Sequence, residues 1–421
     1  MSCLRVLVVG ASIAGPTAAY WLAKTGASVT VIERFPQLRT NGQSIDIRTA
    51  GVTVMRRMPG MEAAVRAKTT QQEGLSFVHD NGRPYATMKA TGEPEQQSLV
   101  SEYEIFRGDL AQILYDLTRD DENINYVFGE QIASMQQTED EPITVRFANG
   151  LPTSEYDLVV ACDGATSRTR GMGFGCGVRD HILPMNCWAA YFSVEGDLLQ
   201  GSKIAQSWST TGGRWLAIGP DPDPSGRSRV GALAIHSRKN HQAMLPFHEA
   251  TKQGGDAVQR YVSRHFAGAG WRSDEILKGM TDAKDFYAAE IVQVKTPRLH
   301  KGRFVLVGDA GYCPSPFSGS GTTLAIAGAY VLAGEIGRHK GDLEAGLRGY
   351  EMRMRPLIED MQKIAPGIPG VFAPQTAWGI WLRNALFSFI TWSGIFGWAG
   401  KFFAGSLGTD KYALPDYGKA A

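Results

Sequence analysis

Cysteine is scarce in this 421-residue chain, and what there is lies scattered at 3, 162, 176, 187 and 313, with no C-x-x-C pair. That excludes a dithiol redox centre and the common zinc spacings. An odd count in a chain of this length fits a reducing, cytoplasmic compartment. A surplus of one charge is lacking as well: the formal net charge is +1, so no basic field invites nucleic acid and the expected partner is a small molecule. The histidines at 79, 236, 241 and 248 show no metal-ligand spacing, and no metal is expected. Long apolar runs are few. The opening LRVLVVGASIAG has no signal-like apolar core or cleavage pattern. Near the other end, the charge-free window from 384 to 400 is 17 residues long, at the lower limit for a membrane span. That window predicts a helix packed on its own protein or on a partner. The alternative is membrane association, as surface contact through 384–404 or as a span.

Glycine, in contrast, is plentiful at 49 residues, as expected where backbone must bend tightly around a ligand. LRVLVV (4–9) reads as a central parallel strand, PTAAYWLAKTG as a helix with Pro16 early and Gly26 just past its end, and SVTVIER as the next strand. Together they make a βαβ unit that closes on Glu33. The stretches 187–196, 204–220 and 228–237 alternate and carry Gly-rich turns, so they predict antiparallel strands. RFVLVGDA and the helix TTLAIAGAYVLAGEI then restore α/β character. The length allows two or three domains.

Three strand-end turns carry the chemistry. In Gly10-Ala-Ser12-Ile-Ala-Gly15 a strand, a tight turn and a helix start aim backbone N–H groups at a pyrophosphate. Ser12 replaces the middle glycine of G-x-G-x-x-G and is small enough to let a phosphate approach. Glu33, at the end of the second strand, suits a ribose hydroxyl. Arg34 beside it either covers the adenine–ribose edge or is a solvated charge. The second turn is Asp163-Gly164-Ala-Thr-Ser167-Arg-Thr-Arg170, after the strand YDLVVA. The third is Gly308-Asp309, continued by Pro314, Pro316 and Gly319-Ser320-Gly321-Thr322 into the apolar helix. Taken singly, each is also compatible with an ordinary strand–turn–helix.

The three turns in this order and spacing resemble the signatures of the class A flavoprotein monooxygenases, the para-hydroxybenzoate hydroxylase-like family: G-x-G-x-x-G, D-G-x-x-S-x-x-R and the GD motif. The resemblance covers about residues 1–365. FRGDLAQIL, with Arg107, Leu110 and Leu114 at helical spacing, is similar to the family's R-x-x-L helix, whose Arg reaches FAD. NGQSIDIR (41–48) is similar to the stretch passing the flavin ring, with Gln43 and Ser44 in reach of the cofactor and Arg48 aimed at ring or substrate, or else held in an ion pair. In the third turn, Gly311-Tyr312 stands where the family usually has Ala-His. The resemblance implies an α/β fold: a discontinuous Rossmann-like FAD-binding domain (1–75, 100–172, 290–365) and a mixed or antiparallel substrate sheet (76–99, 173–289); the hydrophobic helical C-terminal segment (366–421) lies beyond it and is not shared across the family. It implies that Asp309 holds the ribityl chain and that the helix after Gly321 starts against the flavin.

By the same resemblance, transiently docked NAD(P)H reduces FAD. O2 then forms a C4a-hydroperoxide that hydroxylates or epoxidises an electron-rich aromatic, here a polycyclic, natural-product-like molecule. Candidate side chains at the substrate are Arg48, Tyr191 and Arg214. Trp188, Tyr191, Phe192, Trp208 and Trp215 either line the pocket or fill the sheet core. The rival readings are a flavin oxidase or reductase on the same fold, and a non-catalytic flavin-binding protein with a membrane-associated tail. Oligomeric state is left open.

Overall fold

The computed structural model describes residues 3–39, 42–89, 102–138, 141–222, 226–237, 240, 242–364, 367–393 and 413–418. A six-stranded sheet runs, edge to edge, Ile124–Phe128, Ser28–Glu33, Arg5–Val9, Leu158–Ala161, Phe304–Leu306 and His300–Lys301. The first five strands are parallel and the last is antiparallel. Val6 to Val9 are all buried because both faces are covered, which explains the unbroken apolar run. Helices Ala14–Lys24 and Gly321–Arg338 pack together on one face. A three-stranded antiparallel sheet (Ile132–Gln136, Ile143–Phe147, Ser154–Tyr156) covers part of the other. That small sheet is absent from the sequence-based expectation.

The chain runs outward in one direction from Arg5–Val9, then returns to add Leu158–Ala161 and Phe304–Leu306 on the opposite side. The strand order therefore reverses beside the first strand, and in open α/β sheets ligands bind at the carboxyl ends of such a reversal. Gly10, Asp163 and Asp309 follow three of these strand ends, and Glu33 ends a fourth strand.

A second sheet has seven strands in the order Tyr287–Val294, Ile182–Val194, Ser228–Ile235, Arg214–Pro220, Ile204–Thr210, Gly74–Val78 and Pro84–Lys89. Only the pair 204–207 with 74–77 is parallel. Two boundaries shift: the sheet takes in residues from Gly74, not 76, and extends through Val294, not 289. On the longest strand, Ile182–Val194, Trp188, Ala190, Phe192 and Val194 face three helices, Leu245–Gln253, Gly255–Phe266 and Ser273–Thr281. Cys187, Ala189 and Tyr191 face the other way, as a period of two requires.

His265, on the middle of those helices, is wedged among Trp188, Tyr261, Phe266 and His236. Burial, then the neighbouring His236 and Arg214, push it down to about 4. Its folded value lies below the unfolded one near 6.5, so the unfolded chain binds the extra proton first. Stability contributed by neutral His265 is complete above about pH 6.5 and drains away as the pH falls towards 4. Melting curves at pH 7.5 and 5 should show this loss, and His265→Gln should flatten it. An unchanged slope in that variant would clear His265.

Late in the chain, helix Ala377–Trp392 is capped by the Thr376 hydroxyl, which accepts from Gly379 N at 3.1 Å. It lies on the Pro84–Lys89 edge of the second sheet. Among the described residues no helix is long and apolar enough to cross a membrane. Part of the 384–404 stretch, from 394 onward, lies outside the described residues.

Candidate active site

The three turns meet. Gly10 has φ +104, and a Cβ there would stand 2.7 Å from the Cys162 carbonyl, so the first turn lies against the second. A Cβ on Gly15 would fall 1.8 Å from the Gly10 carbonyl, so only glycine lets the helix begin this close to the strand end. A Cβ on Gly308 would come within 3.1 Å of Ala14, which brings the third turn against the first helix. Arg107 spans the gap: its Nη2 donates to Ser12 Oγ at 3.0 Å and its backbone N to the Gln43 carbonyl at 3.0 Å. Glu33 accepts from Ala11 N at 3.0 Å and from Phe35 N at 3.1 Å. It closes the first turn and keeps lone pairs for a further donor.

Arg34 is exposed and stacks on Phe35 at 4.8 Å, while Arg39, which sequence reasoning missed, lies over the same ring at 4.7 Å. Arg39 is held below the ordinary arginine range by burial and by Arg107. The two guanidiniums therefore share one neighbourhood, a natural place for a polyanion. The only signal in the sequence was a second arginine five residues after Arg34.

Asp163 spends its carboxylate on its own turn: it accepts from the Ser167 hydroxyl, from Thr169 N at 3.2 Å and from Thr169 Oγ1 at 2.9 Å. Arg170 is fully buried. It donates to the carbonyls of Ala165 (3.1 Å), Val178 (2.7 Å) and Ala310 (2.7 Å). The second motif thus acts as a strut that carries the third.

Asp309 behaves differently. Its side chain is exposed although it sits deep among protein atoms. That crowding raises its carboxyl, opposed by Arg107. A Cβ on Gly321 would lie 3.8 Å from Asp309 Oδ1, so the carboxylate stands beside the start of helix Gly321–Arg338. That helix has no side-chain cap, and neither does Ala14–Lys24. Their first N–H groups are left for a ligand. Ser320 turns its hydroxyl back onto the Ser318 carbonyl at 3.1 Å. Thr322 is buried, and Thr323 Oγ1 bridges the backbone N and O of Arg48. Pro316 is exposed and Gly319 takes φ +64.

Arg48 pairs with Asp46 at 2.8 Å, the ion-pair alternative, and the pair stands against Gly319, whose Cβ would be 4.0 Å from Asp46 Oδ2. Ser44 is exposed and starts the ribbon Ser44–Asp46, which pairs with Glu104–Phe106. Tyr191 lies on the uncovered face of the seven-stranded sheet with Trp215, Met185 and Phe317 of the third turn. Burial, then Tyr287, pushes its phenol up to about 12. Trp215 Nε1 donates to Ser207 Oγ at 2.7 Å, which fixes its plane. A Cβ on Gly231 would lie 3.4 Å from the Trp215 ring and 3.8 Å from Tyr191, so the glycine forms a flat floor between two rings.

Arg214 is a correction. It points to the helix-covered face, donating to the carbonyls of Thr211 (3.1 Å) and His265 (3.4 Å), because it alternates with Trp215. Trp188, Phe192 and Trp208 share that far face. Of the five aromatics, only Tyr191 and Trp215 look towards the turns. Phe372, missed in the sequence, closes one side at 6.3 Å from Phe317. Its turn is pinned by Arg383, whose guanidinium donates to the carbonyls of Val371 (3.3 Å) and Phe372 (2.9 Å), to the Tyr85 hydroxyl (3.0 Å) and to Asn384 Oδ1.

The uncapped helix starts, the glycine cradle, the open Asp309 carboxylate and the Arg39–Arg107 neighbourhood fit FAD. The family model described as "FAD binding domain" matches residues 4–363. The monooxygenase CTB7 of Cercospora beticola is 35% identical over 418 residues, 98% of this chain and 97% of its own. The FAD-dependent monooxygenase asL4 of Sarocladium schorii is 33% identical over 407 residues, 91% of each chain. The crystal structure of the tetracycline destructase Tet(51) aligns with a TM-score of 0.77 at 27% identity, covering 99% of this chain and 100% of that one. With its cradle built for the cofactor and relatives of this kind along nearly its whole length, the chain belongs to the FAD-binding-domain family and is an FAD-dependent monooxygenase.

Proposed function

We propose that the enzyme uses NAD(P)H and O2 to hydroxylate or epoxidise a flat, largely uncharged, polycyclic aromatic substrate. One observation carries this reading: Phe317 of the third turn belongs to the same apolar cluster as Tyr191 and Trp215, so the cofactor's loop and the aromatic floor face one space. The tetracycline destructase likeness agrees, since that protein is named for a fused-ring compound. In this reading the first turn and Arg107, with Arg39, hold the pyrophosphate, Glu33 the ribose and Asp309 the ribityl hydroxyls.

Bound FAD supplies hydride acceptance and oxygen activation. The protein supplies the rest. The open N-terminus of helix Gly321–Arg338 offers N–H donors and partial positive charge to whatever negative charge gathers on the ring beside it. Tyr191, Trp215 and Leu233 exclude water and set the substrate plane parallel to the sheet floor. Arg48, already paired with Asp46, orients a substrate oxygen without having to be neutralised by it. The overall balance is one NAD(P)H, one proton and one O2 consumed, with one oxygen atom going to substrate and one to water.

The test is substrate-stimulated NAD(P)H oxidation with labelled O2, over a panel of polycyclic phenols and small benzoates. Polycyclic compounds should stimulate uptake and carry one labelled oxygen. Trp215→Ala should raise KM about tenfold or more with kcat largely kept, since it removes a half-buried ring that binds ground and transition states alike. A flavin-loaded enzyme that consumes no O2 with any aromatic would end this reading.

A further inference from the structure

Helix Ala377–Trp392 is apolar on both sides, and one side is bare. Inward, Phe387 meets Phe77 at 5.1 Å, Ser388 Oγ donates to the Tyr85 carbonyl at 3.1 Å, and Arg383 is buried. Outward, Trp378, Trp381, Leu382, Leu386, Phe389 and Trp392 are 46% to 83% exposed. At helical spacing these six fall on one arc of about 140°. A helix that is apolar all round is ordinarily buried, and a bare patch of this kind marks a contact surface.

We propose that this face docks on an anionic lipid surface, lying in the interface without crossing it. Charge selects the occupant. From Met361 to Thr409 the chain has no Asp or Glu, and its three charges, Lys363, Arg383 and Lys401, are all cationic. Arg383 is turned inward, so the bare face carries no charge, and nothing acidic along its flanks repels anionic headgroups. The ring chemistry agrees: Trp378, Trp381 and Trp392 are the residue type that settles at headgroup depth. Length and tethering exclude a span for this helix. Its 16 residues reach about 24 Å, short of the ~30 Å hydrocarbon core.

The chain also returns to the body afterwards. Tyr417 is buried, with its hydroxyl donating to Glu335 at 2.7 Å, and the Pro415 carbonyl accepts from Tyr330 at 2.9 Å. The acid-free stretch is thus held at both ends. Granting the substrate reading above, the helix that presses on lipid also pins, through Arg383, the Phe372 turn that walls the cleft, so an apolar substrate dissolved in the bilayer meets the enzyme beside its site.

The test takes the full-length, flavin-loaded protein with extruded vesicles of phosphatidylcholine alone, or of phosphatidylcholine and phosphatidylglycerol at about 7:3. Flotation should recover it with the anionic vesicles, at least threefold more than with the neutral ones. Brominated lipid should quench its tryptophan emission. The triple variant Trp381→Ser/Leu386→Ser/Trp392→Ser should lose at least tenfold of the bound fraction and the quenching, with flavin content unchanged. If the variant loses flavin through misfolding, quenching of the unmodified protein decides alone. No flotation and no quenching would overturn the proposal. So would light scattering that finds a dimer which the triple variant splits, without vesicle binding, because the face would then belong to a second copy. Flavin content and flotation are read without substrate, so failure here is distinguishable from failure of the substrate assignment.

Discussion

Asp309→Ala will leave purification nearly colourless. The wild-type carboxylate is exposed beside the uncapped helix start, the one open carboxylate at the third turn. In our reading it accepts from ribityl hydroxyls. Charge-assisted bonds of this kind contribute about 1.5–3 kcal/mol each, so losing the acceptor should weaken FAD binding roughly 10- to 150-fold. Absorbance of the flavin relative to protein after gel filtration reads this directly. Asp309→Asn, which keeps one acceptor oxygen, should retain an intermediate load. Because crowding by the surrounding protein raises the Asp309 carboxyl, with Arg107 opposing, the wild-type affinity should weaken as the pH falls through that raised value, earlier than for an ordinary carboxylate. The Asn variant should lack this step. Full flavin in the Ala variant would mean that the third turn holds something else.

Arg170→Met should also lose flavin, for a different reason and with a second signature. Arg170 is buried and serves three carbonyls, among them that of Ala310. Methionine fills much of the volume and satisfies none of them. Three abandoned carbonyls should cost about 3–5 kcal/mol, and the melting temperature should fall by roughly 10 °C. Excess FAD should recover part of that loss by mass action. The two variants therefore separate: Asp309→Ala should leave the melting temperature of the flavin-free protein nearly unchanged, whereas Arg170→Met should lower it with or without flavin. An Arg170→Met protein as stable as the wild type would show that the strut is dispensable.

The cradle was legible because each turn is a local strand–turn–helix grammar: glycine where the backbone must pass close, an acid at a strand end, an apolar helix beyond. What was not legible depended on facing. Arg214 and Trp215 are neighbours in a strand, and sequence cannot say which of the two looks at the helices until those helices are placed. The same parity sends Trp188 into the core and Tyr191 to the cleft. Arg39 and Arg383 carry no signal of their own in the sequence, because Arg107 near the first and Tyr85 against the second come from distant parts of the chain. The sheet 132–156 was passed over because its short strands alternate weakly and sit between stronger signals.

The cradle joins turns that follow strands ending at Val9, Ala161 and Leu306. During synthesis the first two turns emerge long before the third, and neither alone surrounds the ligand. A growing chain shorter than about this third point has no complete seat for FAD, so loading is confined to the last phase of translation or to the released polypeptide. Until then the slot between the strand ends stays open to solvent.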